Sequence, residues 1–181
     1  MSTFAVEACL PFLGEAERLR AESLCGVAQR RFVVSRALRR RALGPNAEIL
    51  VEKNGRPYIK GNSVFFSMSH AGDLFVMAVD AYPVGIDAEL MKERDFARLS
   101  SWFFKEQITV REVFYRRWTQ YEASLKLAGL HLFSKNAPAP KHICSETMDN
   151  YMLSVASDHG VYLPLTVTSL DLEPALETQS E

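Results

Sequence analysis

Asp87 and Glu89 stand two residues apart in Gly85-Ile86-Asp87-Ala88-Glu89. Along a strand, side chains at i and i+2 point to one face, so both carboxylates share a side and Ala88 takes the other. Two acids this close repel one another unless a cation lies between them, and an all-oxygen donor set favours Mg²⁺ or Mn²⁺ over zinc. Asp-x-Glu is also the pattern of a hydrated strand face, but the small apolar approach Val84-Gly85-Ile86 fits the end of a buried strand. Further along, Trp118, Glu122 and Lys126 recur at intervals of four, on one side of a helix. A Glu–Lys pair at that spacing is an ordinary surface stabiliser. Trp118 and the small Ala123, however, mark a packed helix. On such a helix the carboxylate can be a third metal ligand or a general base, and the ammonium can neutralise a phosphate.

Ser69-His70 closes the run Phe66-Ser67-Met68 just before a glycine turn, and Gly55-Arg56-Pro57 follows an Asn-Gly turn. A hydroxyl, an imidazole and exposed backbone N–H groups together can hold a phosphate, and Arg56 adds a cation; a lone histidine is otherwise a structural residue. No Ser/His/Asp order, Cys/His dyad, P-loop, dinucleotide fingerprint or HExxH is present. The set reads as three acids for a divalent metal surrounded by Arg, His and Lys for several phosphates. That suits phosphoryl-type transfer or the binding of a polyphosphate.

The elements that must position these residues follow from periodicity and turn signals. Ser2 to Leu10 reads as a short strand, and Gly14-Glu15 opens a helical stretch. A helix over Val27–Leu43 ends at Gly44-Pro45. At 100° per residue its apolar side takes Val27, Ala28, Phe32, Leu38 and Ala42, with Arg31 in the middle and Arg36 and Arg40 elsewhere. A guanidinium there calls for a counter-charge, from either a protein carboxylate or a ligand anion. Ile49 to Ile59 reads as a hairpin around Asn54-Gly55. Strands follow at Ser63–Ser69, Leu74–Asp80 and Val84–Leu90, then helices at Arg94–Gln107 and Glu112–Ala128, the second closed by Gly129. Asn136 to Pro140 is a loop, and strand pattern returns at Cys144–Ser157 and Val161–Leu172.

A degenerate repeat links these elements. Arg30 through Ala42 overlies Arg116 through Ala128 at an offset of 86, and Asp73-x-Phe75-Val76-Met77 overlies Asp149-x-Tyr151-Met152-Leu153 at an offset of 76. The expected fold is α+β: two pseudo-symmetric halves, residues 1–83 and 84–172, each a helix on a small antiparallel sheet, with the site where they meet and an acidic tail at 173–181.

The chain has 181 residues, 48% apolar and 24% charged, the balance of a globular protein. Its longest stretches free of charge, Gly61–Gly72 and His159–Leu170, are too short to cross a bilayer as a helix. No secretory signal is visible, and three widely spaced cysteines, Cys9, Cys25 and Cys144, form neither a disulfide framework nor a zinc signature. The expectation is a cytoplasmic chain with reduced thiols and no membrane contact. The net charge of −1 hides an asymmetry: all 21 basic residues but only 15 of the 22 acids lie at or before Lys141, so residues 1–141 carry +6. Six arginines fall between Arg30 and Arg41. They are either a solvated helix face or a field for an anionic partner.

Taken in order, Gly55-Arg56-Pro57, Phe66-x-x-Ser69-His70, Gly85-Ile86-Asp87-x-Glu89 and Trp118-x-x-x-Glu122-Ala123-x-x-Lys126 form a recognisable series. Over about Arg18 to Lys126 the chain resembles the 4′-phosphopantetheinyl transferases, and in length and two-part organisation the surfactin-synthetase-activating type. The resemblance implies transfer of 4′-phosphopantetheine from coenzyme A to a serine hydroxyl of an acidic apo carrier protein, releasing adenosine 3′,5′-bisphosphate. It implies Asp87, Glu89 and Glu122 as ligands of Mg²⁺ (or Mn²⁺), Glu122 and Lys126 as catalytic residues, and Arg31, Arg36, Arg56, Ser69 and His70 as holders of coenzyme A. It implies a monomer without nucleic acid. The rival expectations are a coenzyme A-binding protein without catalysis and a nucleic-acid module built on the Arg30–Arg41 helix. Two positions depart from the family pattern: Tyr121, where a lysine is usual, and His131, where a second glycine is frequent.

Overall fold

The computed structural model describes residues 4–52, 56–61, 64–132 and 139–160. They fall into two compact units divided between Glu48 and Ile49. The expected division near Tyr82-Pro83 concerned repeat halves; the strands on either side of it belong to one unit.

The first unit is helical: α1 (Phe4–Cys9), a 3-10 turn (Leu10–Phe12), α2 (Glu15–Glu22) and α3 (Gly26–Leu43). The N-terminal segment is therefore helical where a strand was expected. Its alanines and Glu7 favour helix, and a short apolar run carries no period strong enough to decide. Both α1 and α2 pack on α3, with Cys9, Leu13, Ala21, Val33 and Ala37 buried. Glu17 organises the basic side: it accepts from Arg40 Nε at 2.9 Å and from the Gly14 N–H at 3.1 Å, and it pairs with Arg36 at 3.7 Å. The buried stripe of α3 is Val33, Val34 and Ala37, while Val27, Ala28 and Arg31 are exposed. The expected stripe thus lies about a third of a turn from the observed one. Arg31 sits in solvent and needs no buried counter-charge.

The second unit starts with a two-stranded ladder, β1 (Ile49–Val51) with β2 (Pro57–Ile59). The expected Asn54-Gly55 turn lies outside the described residues, as does Val161–Leu172; Asn136–Pro140 is described only at Ala139 and Pro140. Next come a hairpin, β3 (Phe65–Ala71) with β4 (Leu74–Asp80), and a three-stranded antiparallel sheet. The sheet has β5 (Val84–Leu90) at one edge, β7 (Tyr151–Ser157) in the centre and β6 (His142–Met148) at the other edge. Between β5 and β6 run α4 (Phe96–Phe104) and α5 (Arg111–Ala128). The architecture is α+β, with helices on small antiparallel sheets. Cys144–Ser157 is a hairpin and not one strand: Asp149 turns it with a φ of 51°. The β3–β4 hairpin turns in the same way at Gly72, with a φ of 56°.

Registry sorts the three-stranded sheet into two faces. Val84, Ile86 and Ala88 point with Leu153, Val155 and Cys144 toward Val76 of the β3–β4 hairpin, forming one apolar core. The opposite face carries α5 over three rows: Gly85–Ala156–Ile143, Asp87–Ser154–Ser145 and Glu89–Met152–Thr147. Ala123 and Leu127 of α5 close on Ala156 and Ile143. Phe114, Tyr115 and Trp118 join Phe96, Met91 and Met152 in an aromatic core under α4. The helix ends at Gly129, left-handed with a φ of 66°, whose N–H caps the last turn.

The row at Gly85 sets how near α5 can come. A Cβ at this position would stand 2.0 Å from the Ala123 carbonyl oxygen and 2.6 Å from the Leu127 nitrogen, both backbone atoms that cannot swing aside. Gly85→Ala must therefore push the helix off the sheet. It is expected to lower stability by on the order of 3 kcal/mol, read from chemical denaturation. An unchanged midpoint would mean that the helix does not lie against β5.

Candidate active site

Asp87 lies in the middle row, on the face covered by α5, and is almost wholly buried. A buried carboxylate is costly unless charge and hydrogen bonds meet it. Its Oδ1 is met twice: Lys126 Nζ donates at 2.7 Å and Ser69 Oγ at 2.8 Å. Its Oδ2 is buried and has no hydrogen-bond partner. Lys126 also donates to the carbonyls of Ile86 (3.0 Å) and Met68 (3.3 Å), so all three of its N–H donors are used. The same ammonium thus ties α5 to β5 and β3. Ser67 adds a further bridge, its Oγ accepting the Ile86 N–H at 3.1 Å.

Two residues on, Glu89 shares the face of Asp87, as the strand period requires, and Glu122 overhangs both from α5. Glu122 and Glu89 are partly buried, and each has its carboxyl raised above the ordinary range. For Glu122 burial acts most, then the charge on Asp87; Glu89 pushes the same way, while Lys126 and a hydrogen bond from the Trp118 indole oppose it. The outcome is a carboxyl pushed up to about 7. For Glu89 burial again leads, followed by Asp87, and Trp118, Arg94 and Lys126 work against the rise. Trp118 therefore lowers both glutamates. Its ring is held edge-on to Phe103 at 4.6 Å and stacked with Phe114 at 6.3 Å.

The remaining expected residues are distributed as follows. Arg56 donates to the Leu127 carbonyl at 3.4 Å, near the end of α5, and its guanidinium lies over the Phe65 ring. His70 is exposed near the end of β3, stacked on Phe75 at 5.5 Å. Ser69 directs its proton at Asp87 instead of outward. Arg31 and Arg36 belong to the helical unit, Arg31 exposed and Arg36 beside Glu17 and the Phe32 ring. Tyr121 packs edge-on to Phe104 at 5.9 Å, extending the aromatic cluster around Trp118. Sequence reasoning missed the reach of Lys126 to Asp87, because a helix period suggests only its i−4 neighbour Glu122. It also missed Ser67, whose buried place inside a strand was the available signal.

Among the described residues, no group of three or more His, Cys, Asp or Glu side chains is arranged as placed to hold a metal ion. The chemistry of the donors nonetheless fits a hard divalent cation. One carboxylate oxygen is buried and unpartnered, and two further carboxyls are raised in part by its charge. Closing a coordination sphere would require the three carboxylates to draw together.

The geometry defines an acidic, lysine-tethered site under a helix. Comparison with known proteins gives it a family context. No family model matches the chain. Among curated proteins it is similar to the 4′-phosphopantetheinyl transferase psf-1 of Bacillus pumilus, 35% identical over 88 residues, which are 43% of this chain and 38% of that protein. A 4′-phosphopantetheinyl transferase of Bacillus subtilis is 32% identical over 117 residues, 56% of this chain and 52% of its own. The 4′-phosphopantetheinyl transferase AcpT of Salmonella typhi is 26% identical over 178 residues, 88% of this chain and 91% of its own. The identities are modest, but they support the 4′-phosphopantetheinyl transferase superfamily that the motif order resembles.

The raised carboxyl of Glu122 has a consequence for stability. In the native state it keeps its proton up to about pH 7, whereas its ordinary value is 4.5. The native state thus binds more protons across that interval, and stability falls as pH rises through it. Glu122→Gln removes this dependence. With no divalent ion present, the variant is expected to be more stable than the parent at pH 8 by on the order of 1 kcal/mol, after discounting for partial exposure, and similar at pH 4. Denaturation at both pH values checks this; a constant difference would mean that Glu122 titrates normally.

Proposed function

We propose that the chain is a 4′-phosphopantetheinyl transferase acting on coenzyme A and an apo carrier protein. The observation that carries this reading is the convergence of Asp87, Glu89, Glu122 and Lys126 on one face under α5. These residues come from two motifs that occur in the family's order. The carrier serine Oγ attacks the phosphorus that bears the pantetheine arm. Its proton passes to Glu122, the P–O bond to the nucleotide breaks, and adenosine 3′,5′-bisphosphate leaves with that electron pair. A serine hydroxyl is a poor nucleophile at neutral pH, and a carboxyl titrating near 7 is well matched to take its proton.

Asp87, Glu89 and Glu122 would hold Mg²⁺ (or Mn²⁺), which when bound neutralises pyrophosphate charge and orients the two oxygens in line. Lys126 contributes as a fixed positive charge close to the phosphoryl group, since its donors are already engaged. His70 and Arg56 are the candidates for coenzyme phosphates in the second unit, and Arg31 and Arg36 those in the helical unit. An acidic carrier suits the +6 of residues 1–141, which would steer encounter at low salt. The two repeat halves, 1–83 and 84–172, belong to the same proposal, as do a monomeric state and a cytoplasmic location.

The test is mass spectrometry of an acidic apo carrier protein after incubation with coenzyme A and Mg²⁺. The expected result is a gain of one phosphopantetheine group. Coenzyme A binding without any mass gain across a panel of carriers would overturn the assignment in favour of a binding protein. Asp87→Asn and Glu122→Gln are each expected to cut the rate by about 100-fold or more while circular dichroism stays unchanged. Turnover near the parent's in either would remove the carboxylate site from the mechanism.

A further inference from the structure

The sheet face under α5 carries polar groups that the proposed reaction does not use. Gln120 Nε2 donates to Ser145 Oγ at 3.0 Å, Ser145 Oγ and Ser154 Oγ stand 2.8 Å apart, and Ser154 Oγ and Thr119 Oγ1 stand 2.7 Å apart. Thr119 Oγ1 in turn donates to the carbonyl of Tyr115 at 3.0 Å, with Arg116 O at 3.3 Å. The two ends fix the direction of the chain. An amide N–H can only donate and a carbonyl can only accept, so each hydroxyl gives its one proton toward Thr119 and receives from the side of Gln120. Aligned bonds of this kind polarise and strengthen one another. The chain leaves α5 at Gln120, crosses β6 and β7, and returns to α5 at Thr119. Thr119 and Ser154 are fully buried, and Ser154 lies directly opposite Asp87 across the β5–β7 ladder.

We propose that Thr119, Ser154, Ser145 and Gln120 form a positioning device that sets the rotation and axial level of α5 on the sheet. Glu122 sits just under one turn beyond Thr119 and Lys126 two turns beyond, so their places over Asp87 follow from that setting. The contact at Gly85 sets how near the helix lies, while the apolar side chains beside it, Ala123, Leu127 and Ala156, add burial that has no direction of its own. The hydroxyl chain is directional: a slip of one residue turns the helix by 100° and leaves buried hydroxyls without partners. The inference deepens the transferase reading and rests on it.

The test uses Thr119→Val, which keeps shape and removes the hydroxyl, Thr119→Ser, which restores it, and Ser145→Ala, at a half-buried link. With wild type active, Thr119→Val is expected to lower kcat about tenfold or more with KM for coenzyme A nearly unchanged, because misplacement acts on the reacting geometry. Thr119→Ser should recover most of the rate. Thr119→Val combined with Ser154→Ala should be no slower than the slower single variant, since both break one chain. A lower unfolding midpoint with unchanged kcat would overturn the proposal and leave the chain a stabiliser only. Should Thr119→Val fail to fold, Ser145→Ala must show the same kcat loss, and parent-like kcat there overturns the proposal. Hydrogen exchange gives a readout that does not depend on turnover: amides 119–126 should lose protection in Thr119→Val and regain it in Thr119→Ser. Unchanged exchange refutes the positioning role even if no carrier accepts phosphopantetheine, whereas that last result alone refutes only the transferase reading.

Discussion

Everything at the acidic site depends on how closely α5 lies on the edge strand β5. The backbone of the helix sits where the side chain of residue 85 would be, and only glycine leaves that space empty. From this contact the three rows of the sheet acquire different characters. The Gly85–Ala156 row is small and lets the helix down, and the Glu89–Met152 row opens toward the aromatic core. Between them the Asp87–Ser154–Ser145 row carries polar groups, of which Asp87 and Ser154 are buried. A lysine on α5 can then span to Asp87 Oδ1 at 2.7 Å and also reach two main-chain carbonyls. A helix standing an ångström or two higher would place the same ammonium in solvent and leave Asp87 buried without a counter-charge, the arrangement most costly to a fold.

The charge arithmetic of the site is deliberately unbalanced. Lys126 answers one carboxylate oxygen, yet three carboxylates share the face. The excess is visible as a buried, unpartnered Oδ2 and as two glutamates pushed upward by burial and by Asp87. A fold selected for stability alone would replace such groups with apolar side chains, which is often neutral or favourable. Retaining them fits the cation site of the proposed reaction. The aromatic surroundings sharpen that property. Phe103, Phe104, Phe114 and Tyr121 pack around the Trp118 ring, and Trp118 works against the rise of both glutamates. Tyr121 enlarges this wall at a position where the related family usually has a lysine; it exchanges a mobile cation for a fixed ring.

Much of this arrangement was legible in the sequence, wherever a local period decides the outcome. The two-residue period of Gly85-Ile86-Asp87-Ala88-Glu89 put both acids on one face. The four-residue period of Trp118, Glu122 and Lys126 put them on one stripe, and Gly129 ended the helix where a left-handed cap was expected. Legibility failed where a tertiary partner decides. The arginine-rich helix α3 has apolar residues on two sides, and the stripe read from sequence was not the one that α1 and α2 cover. The segment around Val6 was too short for its period to separate strand from helix. Lys126 was paired in expectation with its helical neighbour because sequence distance conceals the carboxylate on β5, 39 positions away. Nor could the sequence reveal that Gly85 is a contact and not a turn, because its backbone conformation is ordinary and only the neighbouring helix makes a Cβ impossible.

The tie between Lys126 and Asp87 also limits what the lysine can do in phosphoryl chemistry. An ammonium has three donors, and here each already has an acceptor. A phosphate arriving nearby would feel the charge without gaining a hydrogen bond, unless Met68 O or Ile86 O were given up. Surrendering a buried carbonyl's partner is unfavourable, so the ammonium acts best as a fixed pole that orients Asp87. Its effect on a ligand then passes through Asp87 Oδ2, the buried and unpartnered oxygen that it leaves free by occupying the other. Under the proposed reaction, a cation bound by that oxygen and by Glu122 would lower the carboxyl of Glu122 from about 7 toward the ordinary range. Such a cation would complete the ionisation of a carboxyl already partly ionised at neutral pH, which couples readiness to take the serine proton to assembly of the site.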